Sequence, residues 1–364
     1  MSELSALNLS DSFQTDSHKN KELLHRQYNT PHKNSIWSEG LERHIDTIVL
    51  GKCDNSKTHQ QLVREMQSLG QILGFNVAES DIIGAGWIED LGIRRADGKV
   101  YVLPKMNDCS DINIGQDVDF NSPASNYYAS KFNQTKIVKG KTYLEGGNVL
   151  NTILKNGKAG AIIGAGSIEY SLRAMHLSDN PHNRDIVKRH IAKDLGLELK
   201  NISFIPQFDF HIDMFYRPLK NGQVAVPDYQ EAINILKRTK IAGMDARSKN
   251  LLISQLAKAY KRNANSLINT EKELAKSGYK LIKIPCFSLP TNMCDNTGIN
   301  YANGVCGKSK NGKLYIITNK SNYKELDAQI VKYYKKAGVD NVYFVSSQKY
   351  LRRNGGLDCR TQEF

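Results

Sequence analysis

The chain ends with the sequence Asn354-Gly-Gly-Leu-Asp-Cys359-Arg-Thr-Gln-Glu-Phe364, which places a cysteine behind a Gly-Gly turn and five residues from the last residue. A cysteine of a protein core usually lies among apolar side chains, and the neighbours of Cys359 are glycine, acidic and polar residues. We therefore interpret Cys359 as a thiol positioned for chemistry. This interpretation requires catalytic partners elsewhere in the sequence.

Three polar motifs earlier in the chain offer such partners, namely Trp87-Ile-Glu-Asp90, Leu144-Glu145-Gly-Gly-Asn148 and His211-Ile-Asp213. The apolar residues around the last motif predict a strand from Phe208 to Phe215. Residues i and i+2 of a strand lie on one face, so His211 and Asp213 are expected to enter one pocket. A lone buried histidine is more often a hydrogen-bonded core residue, but a carboxylate beside it is costly to bury without a function.

The rest of the sequence alternates predicted strands and helices. Apolar residues at helical spacing predict a helix over 58–73 that ends at Gly74, and Asn156-Gly157 and Asn221-Gly222 predict hairpin turns. Further strands are predicted at 81–84, 100–104, 159–164, 202–206, 280–285, 313–317 and 342–345, and further helices at 183–195, 228–240, 247–277 and 323–337. This alternation predicts an α/β fold.

The ends of the pattern suggest the domain organisation. Residues 1–35 are polar and lack periodicity, which predicts a flexible leader before a single domain over 36–364. The Asn/Asp/Ser-rich stretch 107–135 is expected to be a long surface loop. The N-terminus lacks the basic-then-apolar pattern of a Sec signal, which favours a cytoplasmic type of location, although the substrate of a non-Sec delivery system would carry the same sequence.

Composition excludes several classes of protein. No apolar run approaches the ~20 residues that a membrane helix requires. The six cysteines form no CxxC pair, so we expect reduced thiols, no metal site and no cofactor. The net charge of +13 is concentrated after residue 150, but no aromatic-basic motif accompanies it, so nucleic acid is not an expected partner. The oligomeric state is left open.

Taken in order, the four motifs resemble those of the guanidine-modifying superfamily of deiminases and amidinotransferases, which has the pentein fold. They are most similar to the motifs of the protein-arginine and agmatine deiminases, which read Trp-x-x-Asp, Glu-Gly-Gly, His-x-Asp and Gly-x-x-Cys. The resemblance covers about residues 80–364. It implies a five-bladed α/β propeller of ββαβ-like units around a central active site.

The resemblance also implies a role for each motif residue. Asp90 and Asp213 would clamp the nitrogens of a guanidinium, and Cys359 would attack its central carbon. His211 would protonate the departing ammonia and then activate the water that hydrolyses the thiouronium intermediate. Glu145 would hydrogen-bond His211, or alternatively only close the Gly-Gly turn that follows it.

The substrate class follows from departures from the family pattern. Free-arginine deiminases grip the substrate carboxylate with arginines, and the stretch 166–170 offers none, which leaves Arg94, Arg95 and Arg173 as candidate substitutes. Trp87 and Asn148 are candidates for contacts with the substrate because they belong to the motifs. Peptidyl-arginine, in a protein with an exposed arginine, or agmatine is therefore the expected substrate.

Two further departures are acidic. Glu89 precedes the motif aspartate where many relatives have arginine, and Asp358 stands beside the cysteine where relatives commonly have histidine. Asp358 is expected to raise the pKa of the Cys359 thiol. Two alternatives to a deiminase stay open. One is an amidinotransferase with the same covalent intermediate, and the other is a catalytically silent propeller that binds partners through its basic C-terminal portion.

Overall fold

The computed structural model describes residues 39–51, 56–80, 87–96, 100–102, 137–220, 222–290, 298–351 and 355–363. The predicted leader, the predicted strand at 81–84 and the predicted loop at 107–135 lie outside these residues. The division of the chain into a leader and one domain therefore stays a prediction. No helix of the described part combines the length and the apolar character needed to cross a membrane.

Five three-stranded sheets make up the β structure of the described residues. In chain order the strands are β1 (Thr47–Leu50), β2 (Asn76–Glu79), β3 (Ile93–Arg94), β4 (Val100–Val102), β5 (Ile137–Lys139), β6 (Val149–Ile153), β7 (Ala159–Gly164), β8 (Ile202–Ile205), β9 (Arg217–Pro218), β10 (Gln223–Asp228), β11 (Lys280–Pro285), β12 (Gly304–Lys308), β13 (Leu314–Asn319), β14 (Asn341–Val345) and β15 (Thr361–Glu363). Each middle strand pairs antiparallel with one neighbour and parallel with the other. The same three-stranded unit thus recurs five times.

In four of the five sheets helices connect the parallel strands, because a parallel pair cannot be joined by a tight turn, and the connection from β4 to β5 lies outside the described residues. The helices are α1 (Lys57–Leu73), α2 (Gly166–Ala174), α3 (Pro181–Leu195), α4 (Tyr229–Arg238), α5 (Ala246–Lys276), α6 (Lys324–Lys336) and the short α7 (Gln348–Leu351). Helix α1 ends as predicted at Gly74, which has φ 96 and is the residue type that adopts this conformation readily. Helices α2 and α7 were not predicted, and the five predicted helices are confirmed within a few residues.

The apolar core forms where helices pack on these sheets. In one cluster Leu62 and Met66 of α1 lie against Ile48 and Leu50 of β1. A second cluster joins α2 and α3 to β6 and β7, and the largest extends over β10, β13 and helices α4 to α6. The periodic apolar residues of the helices therefore serve the packing that their spacing predicts.

The first and last strands of the described chain belong to one sheet. Strand β15 runs antiparallel to β1, with Ile48 opposite Glu363 and Leu50 opposite Thr361. The amide of Gly51 also donates to the carbonyl of Arg360 at 2.8 Å. The residues that follow Cys359 are therefore held in a sheet, and this pairing fixes the backbone at the thiol.

One predicted strand is wrong. Residues 208–215 form an irregular turn rather than a strand. The amides of Ile212 and Asp213 both donate to the carbonyl of Gly147, each at 3.0 Å, which a strand ladder does not allow. The apolar residues that suggested a strand, such as Ile212 and Phe215, are buried in the core from this turn. Their pattern reflects packing rather than β structure.

Candidate active site

Four short irregular segments carry the predicted site residues. Single turns of 3₁₀ helix at Ile88–Leu91, Gly146–Asn148 and Asp358–Arg360 contact one another, and the turn at 208–215 bonds to Gly147. Such tight turns direct side chains away from the regular ladder of a sheet. The four motifs, which are far apart in the sequence, therefore meet at one place.

Cys359 is 3% exposed and hydrogen-bonded to two site residues. Its thiol donates to Asp213 Oδ2 at 3.0 Å, and the side-chain amide of Asn303 lies 3.3 Å from the sulfur. Burial, followed by the negative charges of Asp213 and Glu89, raises the pKa of this thiol well above its usual value. The free protein therefore holds Cys359 as a thiol, and a cation bound nearby would favour the thiolate.

Asn303 was not selected by the sequence analysis, although it is fully buried at the centre of the site. Its Nδ2 donates to Asp213 Oδ2 and to Cys359 Sγ, and its Oδ1 accepts from the amide of Asp358 at 2.8 Å. A Cβ atom on Gly356 would lie 2.2 Å from this Oδ1, so the Gly-Gly turn is needed to admit Asn303. The Asn-Gly pair that opens β12 is the available sequence signal, and it predicts a turn rather than a site residue.

His211 is oriented by the carboxylate of Glu145, which is itself held by the phenol of Tyr143. Its Nε2 lies 2.9 Å from Glu145 Oε2, and Tyr143 donates to Glu145 Oε1 at 3.0 Å. Burial lowers the pKa of His211, but Asp90 and Glu145 outweigh burial and raise the pKa to about 9. A charged imidazole that can donate a proton is therefore the favoured form at neutral pH. Of the two interpretations of Glu145, the contact with His211 is the one that the geometry matches.

Gly147 sets how closely the imidazole approaches the backbone. A Cβ atom at this position would lie 2.3 Å from His211 Nδ1 and 2.7 Å from Cγ. Only glycine leaves room for the ring in its present place. The second glycine of the Glu-Gly-Gly motif therefore positions His211.

The site contains more carboxyl groups than cationic side chains to pair with them. Among the buried atoms of the described residues, Asp213 Oδ1 and Glu89 Oε2 have no hydrogen-bond partner. Burial raises the pKa of Asp90 to about 7, with His211 opposing the rise and Glu145 adding to it. Burial, followed by the charge of Asp358, raises the pKa of Glu89 well above its ordinary value. Buried carboxylates with unused acceptors suit a cationic ligand that donates hydrogen bonds.

Asp358 is ion-paired rather than directed at the thiol. Arg217 bonds Asp358 Oδ2, and a second nitrogen of Arg217 lies 3.5 Å from Glu39 Oε2. Asp358 was expected to raise the pKa of the Cys359 thiol. That pKa is raised mainly by burial and then by the charges of Asp213 and Glu89. The departure at 358 is compensated by a buried arginine that the sequence analysis did not select.

The remaining predicted residues lie around this centre. The Trp87 ring packs against Gly355, where a Cβ atom would lie 2.4 Å from it. Asn148 donates to the carbonyl of Phe210 at 3.0 Å and so holds the turn that carries His211. Arg95 donates to the carbonyls of Lys193 and Asp194 at the end of α3, whereas Arg94 lines a cavity beside Glu89. The structure does not bring Arg94 and Arg95 together with the thiol.

Three reactive groups are close enough to act together. A ring nitrogen of His211, a carboxylate oxygen of Asp213 and the sulfur of Cys359 lie within 4.8 Å of one another. Such a set could also ligate a soft metal ion, and Cys359 and Asp213 are joined here by a thiol–carboxylate hydrogen bond. The described cysteines Cys286, Cys306 and Cys359 are all free thiols. The arrangement places a thiol, an imidazole and carboxylate acceptors side by side.

Comparison with known proteins supports the same fold. No family model matches the sequence, and no curated protein matches it either. Among solved structures, the agmatine deiminase of C. jejuni superposes with a TM-score of 0.56 at 18% identity, over 90% of this chain and 94% of that chain. This chain has the fold of the guanidine-modifying enzymes.

Two further structures of this fold give the same result. A candidate peptidyl-arginine deiminase superposes with a TM-score of 0.58 at 15% identity, over 90% of this chain and 97% of that chain. The agmatine deiminase of E. faecalis superposes with a TM-score of 0.52 at 12% identity, over 90% and 94% of the two chains. The motifs implied the fold of the guanidine-modifying enzymes, and this fold is thereby confirmed. Activity has to be argued from the site.

Proposed function

We propose that this protein is a hydrolase that deiminates a guanidino group through a covalent intermediate on Cys359. The observation that carries the proposal is the buried thiol beside His211, surrounded by carboxylates with unpartnered oxygens. A guanidinium is planar, cationic and rich in donors, which complements these acceptors. We also propose that the five sheets are the five blades of one propeller around this site.

The carboxylates would bind and orient the substrate. Asp213 Oδ1 and Glu89 Oε2 are free to accept, and Asp90 has an oxygen 3.5 Å from the amide of Gly147. Charge-assisted bonds from Asp90 and Asp213 to the guanidinium nitrogens would hold its central carbon near the sulfur. The positive charge of the substrate would lower the pKa values of the site carboxyls and of the thiol together.

The reaction then follows from the positions of the groups. As the cation binds, Cys359 releases its proton to solvent and its sulfur bonds to the guanidinium carbon, which becomes tetrahedral. His211 protonates one nitrogen, which leaves as ammonia, and a thiouronium remains on the sulfur. His211 next takes a proton from water, whose oxygen attacks the same carbon, and the sulfur leaves as a thiolate that takes the remaining hydroxyl proton of the ureido product. The ammonia takes up the proton released at the start, so that overall guanidinium and water give a ureido group and ammonium.

The preferred substrate is proposed to be peptidyl-arginine, with agmatine as the second candidate. A free amino acid needs a cation for its carboxylate, and the buried arginines near the site are engaged. Arg217 bonds Asp358, Arg43 bonds Glu363 at 3.1 Å, and Arg95 bonds main-chain carbonyls. Neither a blocked arginine nor agmatine presents a carboxylate that would need such a partner.

An amidinotransferase would share the covalent intermediate but pass the amidino group to an amine. A silent scaffold would instead leave arginine derivatives unchanged. The buried proton donor at His211 favours hydrolysis or transfer over a scaffold, because positioning a charged imidazole beside a thiol has no use in simple binding.

The test is a colorimetric assay for ureido product with benzoyl-arginine amide, agmatine and L-arginine, with and without an added acceptor amine. We expect ureido product without an amine, and higher kcat/KM on benzoyl-arginine amide than on L-arginine. Cys359→Ala should abolish turnover, whereas Cys286→Ala, at a buried core thiol, should not. Product that requires an amine would identify a transferase, and activity retained in Cys359→Ala would overturn the proposal.

A further inference from the structure

A polar cavity lies beside the candidate active site. Its volume is about 40 Å3. The polar residues of its wall are Glu39, Arg43, Glu89, Arg94, Asn151, Gln362 and Glu363. Neither Cys359 nor His211 lines it, so the cavity is separate from the space where sulfur would meet substrate.

The wall has unused hydrogen-bond acceptors. Three buried side-chain oxygens, Glu89 Oε2, Asn151 Oδ1 and Glu363 Oε1, find no donor among the described residues. Asn151 is only 5% exposed, so a donor to its oxygen has to lie inside the cavity. A buried acceptor without a donor costs about 1–3 kcal/mol, which indicates that something in the cavity donates to these atoms.

The acceptors of the wall favour a cation with N–H donors over an anion. Burial raises the pKa of Glu39 to about 8 and that of Glu89 well above its ordinary value, and a cation in the cavity would lower both pKa values and keep the two groups ionised. The guanidinium groups of Arg43 and Arg94 also line the cavity. Arg43 is already used, because it donates to Glu363 Oε2 at 3.1 Å and to the carbonyl of Cys306 at 3.0 Å. An anion would meet unpartnered acceptors, whereas a small cation with N–H donors would satisfy them.

The volume limits the occupant to a very small species. A single water needs roughly 10–15 Å3 of such space, so the cavity admits one small ion with one or two waters. A guanidino compound or an amino acid is too large. Ammonium has the size, the charge and four donors directed toward the corners of a tetrahedron.

Glu89 connects the cavity with the reacting groups. It lines the cavity, and one of its carboxylate oxygens lies within 4.8 Å of oxygens of Asp213 and Asp358. The hydrolysis described above releases ammonium next to Asp213. A carboxylate shared by both spaces offers a short path for this product away from the thiouronium.

We propose that the cavity lined by Glu89, Asn151 and Glu363 is a binding site for ammonium, the cationic product of the reaction. This inference rests on the proposed function for the origin of its ligand. Removal of ammonium from the reacting carbon would disfavour its return to the intermediate. The bound ion would donate to the three oxygens, and no bond is made or broken in the cavity.

The first experiment does not depend on activity. Crystals of the wild-type protein and of Cys359→Ala are soaked with thallous ion, which matches ammonium in charge and closely in radius, and an anomalous signal is measured. We expect a peak among Glu89, Asn151 and Glu363 in both proteins, which excess ammonium removes. A cavity that holds only water under these conditions would overturn the proposal.

The second experiment measures inhibition by ammonium chloride, with tetramethylammonium chloride as an ion too large for the cavity. We expect ammonium alone to inhibit, and Glu363→Gln to raise its inhibition constant by at least about tenfold, since a bond to a charged group is lost. Glu198→Gln makes the same change on an exposed residue and should leave the constant unaltered. Equal constants in wild type and Glu363→Gln would refute the site.

The two experiments separate the two proposals. A thallous peak in a protein without deiminase activity would retain the cation site and overturn the proposed function. Deiminase activity without a peak, and with inhibition equal for both salts, would retain the function and overturn the cation site.

Discussion

Replacing Asn303 by aspartate tests the electrostatics of the thiol directly. The side-chain amide nitrogen lies 3.3 Å from Cys359 Sγ and also donates to Asp213. Asn303→Asp keeps the shape and the acceptor for the amide of Asp358, but it exchanges this donor for a carboxylate oxygen. The thiolate would then face a second negative charge where it now has a hydrogen-bond donor.

The size of the effect can be estimated from the distance. Two unit charges 3.3 Å apart at an effective dielectric constant of about 20 interact by about 5 kcal/mol, which is an upper value because the new carboxyl would be partly protonated. We therefore expect the pKa of Cys359 to rise by at least about one unit, or about 1.4 kcal/mol. Below its pKa, a thiol loses about tenfold in thiolate for each unit of increase.

The assay is the rate at which iodoacetamide alkylates Cys359 at pH 8, measured by mass spectrometry of the C-terminal peptide. Asn303→Asp should react at least about tenfold more slowly than wild type. Asn303→Ala, which loses the donor without gaining charge, should be slowed less, and Asn180→Asp, a conservative change at the first residue before α3, should not be slowed. A folded Asn303→Asp protein that reacts as fast as wild type would refute this account of the thiol.

Three further predictions concern the other site residues. Asp90→Asn and Asp213→Asn should each lower kcat/KM by more than about tenfold, about 1.4 kcal/mol, and near-normal kinetics in both would contradict the clamp. Glu145→Gln removes one of the charges that, with Asp90, raise the pKa of His211 to about 9. The pH at which kcat falls on the alkaline side should therefore move down. An unmoved alkaline limb would show that His211 is not the proton donor. Gly147→Ala should lower kcat by about a hundredfold with little unfolding, as its methyl group would displace the imidazole by an ångström or more, and unchanged kcat would count against this placement.

Local sequence determined the regular elements of this protein. Helix α1 and its end at Gly74, the hairpin at Gly157 and the strand from Lys280 follow from periodicity and from the residue types that turns require. The order of the polar motifs was sufficient to indicate the guanidine-modifying fold. These features depend on residues close together in the chain, so a single sequence contains the information.

Tertiary structure decided how the site is completed. The bond from Cys359 to Asp213 joins residues 146 apart in the sequence, and that from Asn303 to Cys359 joins residues 56 apart. The apolar pattern of 208–215 was misread as a strand because packing from an irregular turn can produce the same alternation. Asn303 and the pairing of Arg217 with Asp358 leave no periodic signal, since each depends on the distance between side chains of different sheets and turns. Hydrogen bonds of buried polar groups are set by that distance, and only the assembled fold determines it.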